Sequence, residues 1–159
     1  MSDRDGKNQK TPGAASEAVL WTDGASRGNP GPAGAGAILK TPAGDVLFSA
    51  SCYLGHTTNN VAEYRALLVG LSGALEQGVR RVDVRADSEL LIKQLTGEYR
   101  VKSPLLKPLF AQAKALLSRF EAVRLQHVRR ALNAEADALA NQGIDERDSV
   151  ESASKSADK

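Results

Sequence analysis

Apolar and polar residues alternate along "VRRVDVRAD": Val82, Val84 and Ala86 face one way and Arg81, Asp83, Arg85 and Asp87 the other, the two-residue period of a strand with one buried face. Three earlier stretches, "AVLWTDGA", "AGAGAILK" and "DVLFSASCYL", are β-rich and joined by short turns, which predicts an antiparallel meander. From Asn59 the period lengthens. In "NNVAEYRALLVGLSGALEQG" the residues Ala66, Leu67, Gly70, Leu71, Ala74 and Leu75 share one helical face, and Gly78 supplies a stop. "SELLIKQL" restarts helical spacing behind Ser88 as N-cap, and "SPLLKPLFAQAKALLSRF" reads as a second long helix with Pro104 in its first turn and Pro108 near that end. "AVRLQHV" predicts a short strand and "NAEADALANQG" a closing helix ended by Gly143. The order βββαβααβα predicts an α/β fold: a five-stranded mixed sheet, a three-stranded meander plus two further strands, flanked by helices.

The 159 residues suffice for one domain with a sizeable core and not for two ordinary ones. Residues 1–17 and 145–159 are almost free of large apolar side chains and are expected to be disordered, leaving 18–144 as the folded domain. That domain holds fifteen bases against eleven acids, a balance that favours a polyanionic partner without selecting one. The single cysteine, Cys52, excludes an intrachain disulfide and fits a reducing setting. No run approaches the length of a membrane span, and the N-terminus lacks the apolar stretch of a signal peptide. A soluble, cytoplasmic monomer is the expectation.

Four acids stand where a solvated surface does not require them. Asp23 ends the first predicted strand, where Asp-Gly is also an ordinary turn pair. Glu63 shares the stripe of Leu67, Gly70 and Ala74 that should face the sheet, although a helix N-terminus also attracts an acid. Asp87 lies at a strand end, as an exposed acid or an N-cap. Asp137 stands three and seven residues before Ala140 and Ile144, at the edge of an inward helical face and near a helix start. Each has a bland reading alone. Together, two acids at strand ends and two near helix starts can converge, and carboxylates held together repel unless a cation neutralises them. Oxygen ligands suit Mg²⁺ or Mn²⁺, and no Cys/His cluster competes.

The residues around these acids resemble the type 1 ribonucleases H. "WTDGASRGNPGPAGAG" is similar to that family's opening, "TTNNVAE" to its "TNNxxE", "RADSELLI" to its "TDSxxxI" and "NAEADALA" to its "NxxADxLA", in the family's order over about residues 19 to 144. The resemblance implies a ribonuclease H-like fold and an endonuclease that cuts the RNA strand of an RNA/DNA hybrid, leaving 5′-phosphate and 3′-hydroxyl ends. It implies two Mg²⁺ or Mn²⁺ ions held by Asp23, Glu63, Asp87 and Asp137: Asp23 bridging both, Asp137 on the ion that activates the water, Glu63 and Asp87 on the ion at the leaving oxygen. It also implies substrate contacts from Gly24, Ala25, Ser26, Arg27, Gly28 and Asn29, with Asn59 and Asn60 meeting the 2′-hydroxyls that distinguish RNA. Either asparagine could instead cap the helix.

The chain departs from the family's pattern twice. Longer members carry a loop histidine within "GHxGH" before the last acid, where this chain has "HVRRALNAEAD". Arg130, seven residues before Asp137, is the candidate for a loop group acting on the phosphate or on product release, with His127 as the alternative. Some members also insert a basic helix and loop between "IKQLTGEYRVK" and "SPLLKPLF"; here only Arg100, Lys102 and Lys107 stand in. Fewer phosphate contacts predict a shallower salt dependence and looser substrate choice, extending to duplex RNA. The competing readings are a hybrid-binding module without the chemistry and another nuclease of the same broad fold.

Overall fold

The computed structural model describes residues 16–147 and 149–153. Most of the two expected disordered ends, 1–15 and 154–159, lies outside the described residues. The elements run β1 (Glu17–Ser26), β2 (Gly31–Lys40), β3 (Val46–Thr57), α1 (Asn59–Glu76), β4 (Arg81–Ala86), α2 (Glu89–Leu95), α3 (Leu106–Leu117), β5 (Ala122–His127), a 3₁₀ turn (Arg130–Asn133), α4 (Ala134–Glu146) and β6 (Val150–Ala153). The predicted order and the mixed α/β class hold.

The sheet has six strands rather than five, in the order β5-β4-β1-β2-β3-β6. β1, β2 and β3 form the antiparallel meander, β4 pairs parallel to both β1 and β5, and β6 adds antiparallel to the free edge of β3. The sixth strand falls inside the segment 145–159 expected as a tail, as does the end of α4. Glu17, the last residue of the expected N-terminal segment, already pairs with Arg81.

Side-chain alternation separates the two faces. A Cβ on Gly70 of α1 would meet Leu20 and Thr22 of β1, so the even positions of β1 face α1. Gly34 and Gly36 of β2, opposite Ala25 and Asp23, meet the backbone of α4, so α4 covers the other face. Leu20, Leu39, Phe48, Tyr64, Leu67, Leu71, Val82 and Val84 belong to one continuous core that α2 and α3 extend with Leu91, Leu95, Ala113 and Leu117. α3 starts at Leu106, two residues after Pro104. Pro108 is its third residue, where the missing N–H is one that no intrahelical carbonyl would accept. Only residues 96–105 separate α2 from α3, so no inserted helix stands there.

Two punctuation signals act differently from expectation. Gly143 does not end the last helix, which runs on to Glu146 and closes at Arg147 in the left-handed conformation. Gly143 is instead a contact point: a Cβ there would lie 2.5 Å from the Cys52 carbonyl oxygen. Asp23 does not end β1, which continues to Ser26 paired with β2; what stops at Thr22 is the ladder to β4.

Candidate active site

The place where β4 leaves β1 is where the acids meet. Parallel register sets Thr22 opposite Ala86, so the next residue on each strand, Asp23 and Asp87, emerges side by side at the carboxyl end of the ladder. Glu63 arrives from α1, in the second turn behind Thr58. Thr58 is the helix cap, its Oγ1 accepting the Val61 N–H. Neither Asn59 nor Asn60 caps, and both remain on the rim of the first turn.

Gly24 fixes how closely α1 approaches. An added Cβ would fall 2.2 Å from the Ala62 carbonyl carbon, so only glycine lets the helix start rest against β1. The Gly24 N–H then donates to Glu63 Oε1 at 3.2 Å, aiming the carboxylate at its neighbours. Asp23, Glu63 and Asp87 each bring an oxygen within 4.8 Å of one another. Asp137 comes from the first turns of α4 on the opposite face and joins them around a cleft of about 200 Å³, lined also by Gly24, Ala25, Ser26, Asn59 and Arg130.

The electrostatics follow from this crowding. Asp23 and Glu63 are each only 4 % exposed. Burial, then the charges of Glu63 and Asp87 and a hydrogen bond with Asp137, pushes the Asp23 carboxyl up to about 10. Burial and Asp87 push Glu63 up to about 8, against the pull of the Gly24 N–H, Asp23 and Arg130. Asp87 Oδ2 is buried without a hydrogen-bond partner. Among the described residues no lysine or arginine forms an ion pair with any of the four. An acidic oxygen cluster with an unsatisfied buried ligand atom and no ion-paired protein cation fits a hard divalent cation.

The remaining candidates divide. Arg130, although exposed, lines the cleft and acts on Glu63 through its charge, whereas His127, the last residue of β5, is not among the residues that line it. Ser26 and Ala25 are half-buried at the cleft, and Gly28 and Asn29 are exposed in the β1–β2 turn, with Gly28 at φ 99°. Asn29 Oδ1 accepts the Asn59 N–H at 3.1 Å, tying that turn to α1. The Arg27 guanidinium is already engaged, with Asp145 at 2.6 Å and Asn141 at 3.1 Å on α4.

One positioning residue escaped the sequence reading. Asn133, 1 % exposed at the N-terminus of α4, donates from Nδ2 to the Thr22 carbonyl at 2.9 Å and so pins the helix start beside Asp23. It stood in view as the first residue of "NAEADALA", but an asparagine before a helix reads as a cap, and its side chain forms no cap bond here.

Comparison with known proteins agrees with this geometry. Residues 21–143 match the family model described as "Reverse transcriptase-like". A ribonuclease HI of Halobacterium salinarum is 42% identical over 79% of this chain and 63% of its own length, and a ribonuclease H of Alkalilimnicola ehrlichii is 37% identical over 79% and 93%. A bifunctional protein of Mycobacterium tuberculosis is 45% identical over 80% of this chain, which spans only 35% of that relative. Among solved structures, the N-terminal RNase H domain of that mycobacterial protein superposes with a TM-score of 0.79 at 44% identity, covering 80% of this chain and 98% of the domain's. A compost-derived RNase H1 in complex with an RNA/DNA hybrid superposes at 0.78 with 41% identity, covering 82% and 98%. The chain belongs to the type 1 ribonuclease H family.

Proposed function

We propose that this chain is an endoribonuclease that hydrolyses the RNA strand of RNA/DNA hybrids, leaving 5′-phosphate and 3′-hydroxyl ends, with two Mg²⁺ or Mn²⁺ ions held by Asp23, Glu63, Asp87 and Asp137. The observation that carries the proposal is the convergence of Asp23, Glu63 and Asp87 within 4.8 Å at an open cleft where, among the described residues, no lysine or arginine forms an ion pair with them. When bound, two such cations offset the charge that builds on the phosphate and on the attacking and leaving oxygens of an in-line displacement. In that displacement a water oxygen bonds to phosphorus, the bond to the 3′-oxygen breaks, and that oxygen leaves as the hydroxyl.

The chain's own residues orient the reaction. Asp23 is central because it neighbours all three other acids; the Gly24 N–H fixes Glu63, and Asn133 fixes the start of the helix that carries Asp137. Arg130 at the mouth supplies a positive charge toward a scissile or departing phosphate, a role for which His127, outside the cleft lining, is less well placed. Backbone from Gly24 to Asn29 and the side chains of Asn59 and Asn60 form the rim that meets the minor groove, where 2′-hydroxyls mark the RNA strand.

The short connection between α2 and α3 and the first turn of α3 offer only Arg100, Lys102 and Lys107 to the DNA strand, which favours a shallow salt dependence and some cutting of duplex RNA. All four acids come from one chain, so a monomer suffices. The lone Cys52 fits a cytoplasmic setting, and among the described residues no helix is long and apolar enough to cross a membrane.

The test is a cleavage assay on labelled RNA/DNA hybrid, duplex RNA and duplex DNA, with and without Mg²⁺ or Mn²⁺. Metal-dependent cutting of the hybrid RNA strand, lost in Asp87→Asn, is expected. Undiminished cutting by Asp87→Asn would remove that residue from the site, and equal rates on duplex DNA would remove the 2′-hydroxyl argument.

A further inference from the structure

Behind Asp137, α4 carries a row of side chains that the acid cluster does not explain. Asp137, Asn141 and Asp145 stand four residues apart on α4 and therefore share one side of the helix. Asn141 Nδ2 donates to the Asp137 carbonyl at 3.0 Å and to Asp137 Oδ1 at 3.4 Å. Its Oδ1 accepts from Arg27 Nη2 at 3.1 Å, while Arg27 Nη1 reaches Asp145 Oδ1 at 2.6 Å. A guanidinium only donates, so it turns the amide oxygen of Asn141 toward itself and the NH₂ toward Asp137. Two residues along the same turn, Asn29 holds the start of α1 through the Asn59 N–H. The β1–β2 turn thus spans the two helices that carry Asp137 and Glu63.

We propose that Asn141 is a positioning residue for Asp137, and that Arg27 is the strut that orients Asn141 rather than a contact to the nucleic acid. The proposal rests on the reading of Asp137 as a metal ligand. Arg27 and Asp145 are 46% and 62% exposed, so their ion pair contributes little to stability and the variants are expected to fold. What the row contributes is direction. Asp137 stands on a helix whose start is held by Asn133 and by the Lys40–Glu135 pair, and among the described residues its carboxylate has no backbone donor comparable to the Gly24 N–H on Glu63. An amide that donates to one carboxylate oxygen leaves the other free to bind a cation in a fixed direction, as outer-layer partners of metal ligands do.

The experiment measures Mg²⁺ and Mn²⁺ binding by calorimetry and by the metal-induced rise in melting temperature, alongside kcat and KM on RNA/DNA hybrid across metal concentrations. Asn141→Ala is expected to weaken metal binding about tenfold with hybrid KM at saturating metal changed less than about twofold. Asn141→Asp keeps an acceptor for Arg27 but loses the donor to Asp137, and should show the same metal defect. Arg27→Ala should shift metal binding in the same direction by about threefold, and the double variant should be no worse than Asn141→Ala alone. Arg27→Lys should not rescue, because one ammonium does not reproduce the fork that reaches Asn141 and Asp145 together.

Wild-type metal binding by Asn141→Ala overturns the proposal. So does an Arg27→Ala defect confined to hybrid KM, with a salt slope shallower by about one and restored by lysine, since that is the signature of a phosphate contact. Asp137→Asn separates the two levels. If it leaves metal binding intact, the site assignment itself fails; if it weakens binding while Asn141→Ala does not, only the positioning role fails.

Discussion

On the α1 face of the sheet, Leu20, Leu39, Phe48, Leu67 and Leu71 fill the space between helix and strands with large side chains, whereas on the α4 face Gly34, Gly36 and Gly143 let backbone rest on backbone. Both faces deliver acids to one cleft, but they tolerate change differently. A core of rotatable side chains adjusts to a lost or added methyl by small shifts. A carbonyl 2.2 Å from where a Cβ would stand, as Ala136 O is from Gly36, moves only if the helix moves. Asp137 therefore takes its position from steric exclusion and Glu63 from hydrophobic packing, with one glycine contact at the helix start.

The largest effect is expected where the faces meet, at Asp23. Asp23→Asn should lower hybrid cleavage by about 10³-fold, since it removes charge complementarity worth several kcal/mol in the transition state. The same variant should raise the melting temperature of the metal-free protein at neutral pH. Asp23 and Glu63 keep their protons when folded up to about 10 and about 8, where the unfolded chain has lost them above the usual carboxylate range. Their contribution to stability is therefore complete at about pH 4 and falls as pH rises through 8 toward 10. Melting scans of the metal-free protein from pH 5 to about 9 should show a downward slope that Asp23→Asn flattens. The rise in melting temperature on adding Mg²⁺ should grow over the same range. A metal-free protein whose stability is indifferent to Asp23→Asn at pH 8 would contradict the crowding described for the cleft.

Gly36→Ala comes next and tests the α4 seam directly. It should cost about 3 kcal/mol, the upper part of the range for an overpacked core, and lower kcat by about 10²-fold through displacement of Asp137. Chemical denaturation and cleavage assays read the two effects separately. Leu67→Ala probes the opposite face. It should cost a similar 3 kcal/mol by leaving a cavity, yet the folded enzyme should retain activity within about threefold, because Gly24 still holds the helix start and Glu63. A loss of activity as large as that of Gly36→Ala would erase the distinction between the faces.

Gly70→Ala should have the smallest effect, within about 1 kcal/mol. Its Cβ would meet only the tips of Leu20 and Thr22 near 3 Å, and the helix gains about as much from losing a glycine as it loses from crowding. Urea midpoints of Gly70→Ala and Gly36→Ala, measured side by side, compare a yielding neighbour with an unyielding one.

Some of this architecture could be read from local pattern. The alternation in "VRRVDVRAD" became β4 with Val82, Val84 and Ala86 buried, and the 3.6-residue stripe through Leu67, Gly70 and Ala74 placed Glu63 on the buried side of α1. Ser88 capped α2 through the Leu91 N–H as its position suggested. These features depend on a few consecutive residues meeting one surface, and a short stretch of sequence contains that information. β6 was illegible for the converse reason: "VESA" carries no apolar alternation, and the strand forms because β3 offers it an unpaired edge. Gly143 misled because a stop and a close helix-to-strand contact call for the same residue, and the difference lies in Cys52, ninety-one positions away.

Residue periodicity and turn chemistry were enough to settle the elements from β1 to α4, which of their faces are buried and that four acids lie near element ends. Only long-range assembly settled how those acids meet. Asp23 and Asp87 are neighbours through the parallel register of β1 and β4, Asp137 joins them because three glycines admit α4, and Arg27 turns from the substrate rim toward α4 because Asn141 and Asp145 wait there. Register, backbone approach and side-chain pairing are relations between segments distant in sequence, and no window along the chain encodes them until the sheet has closed.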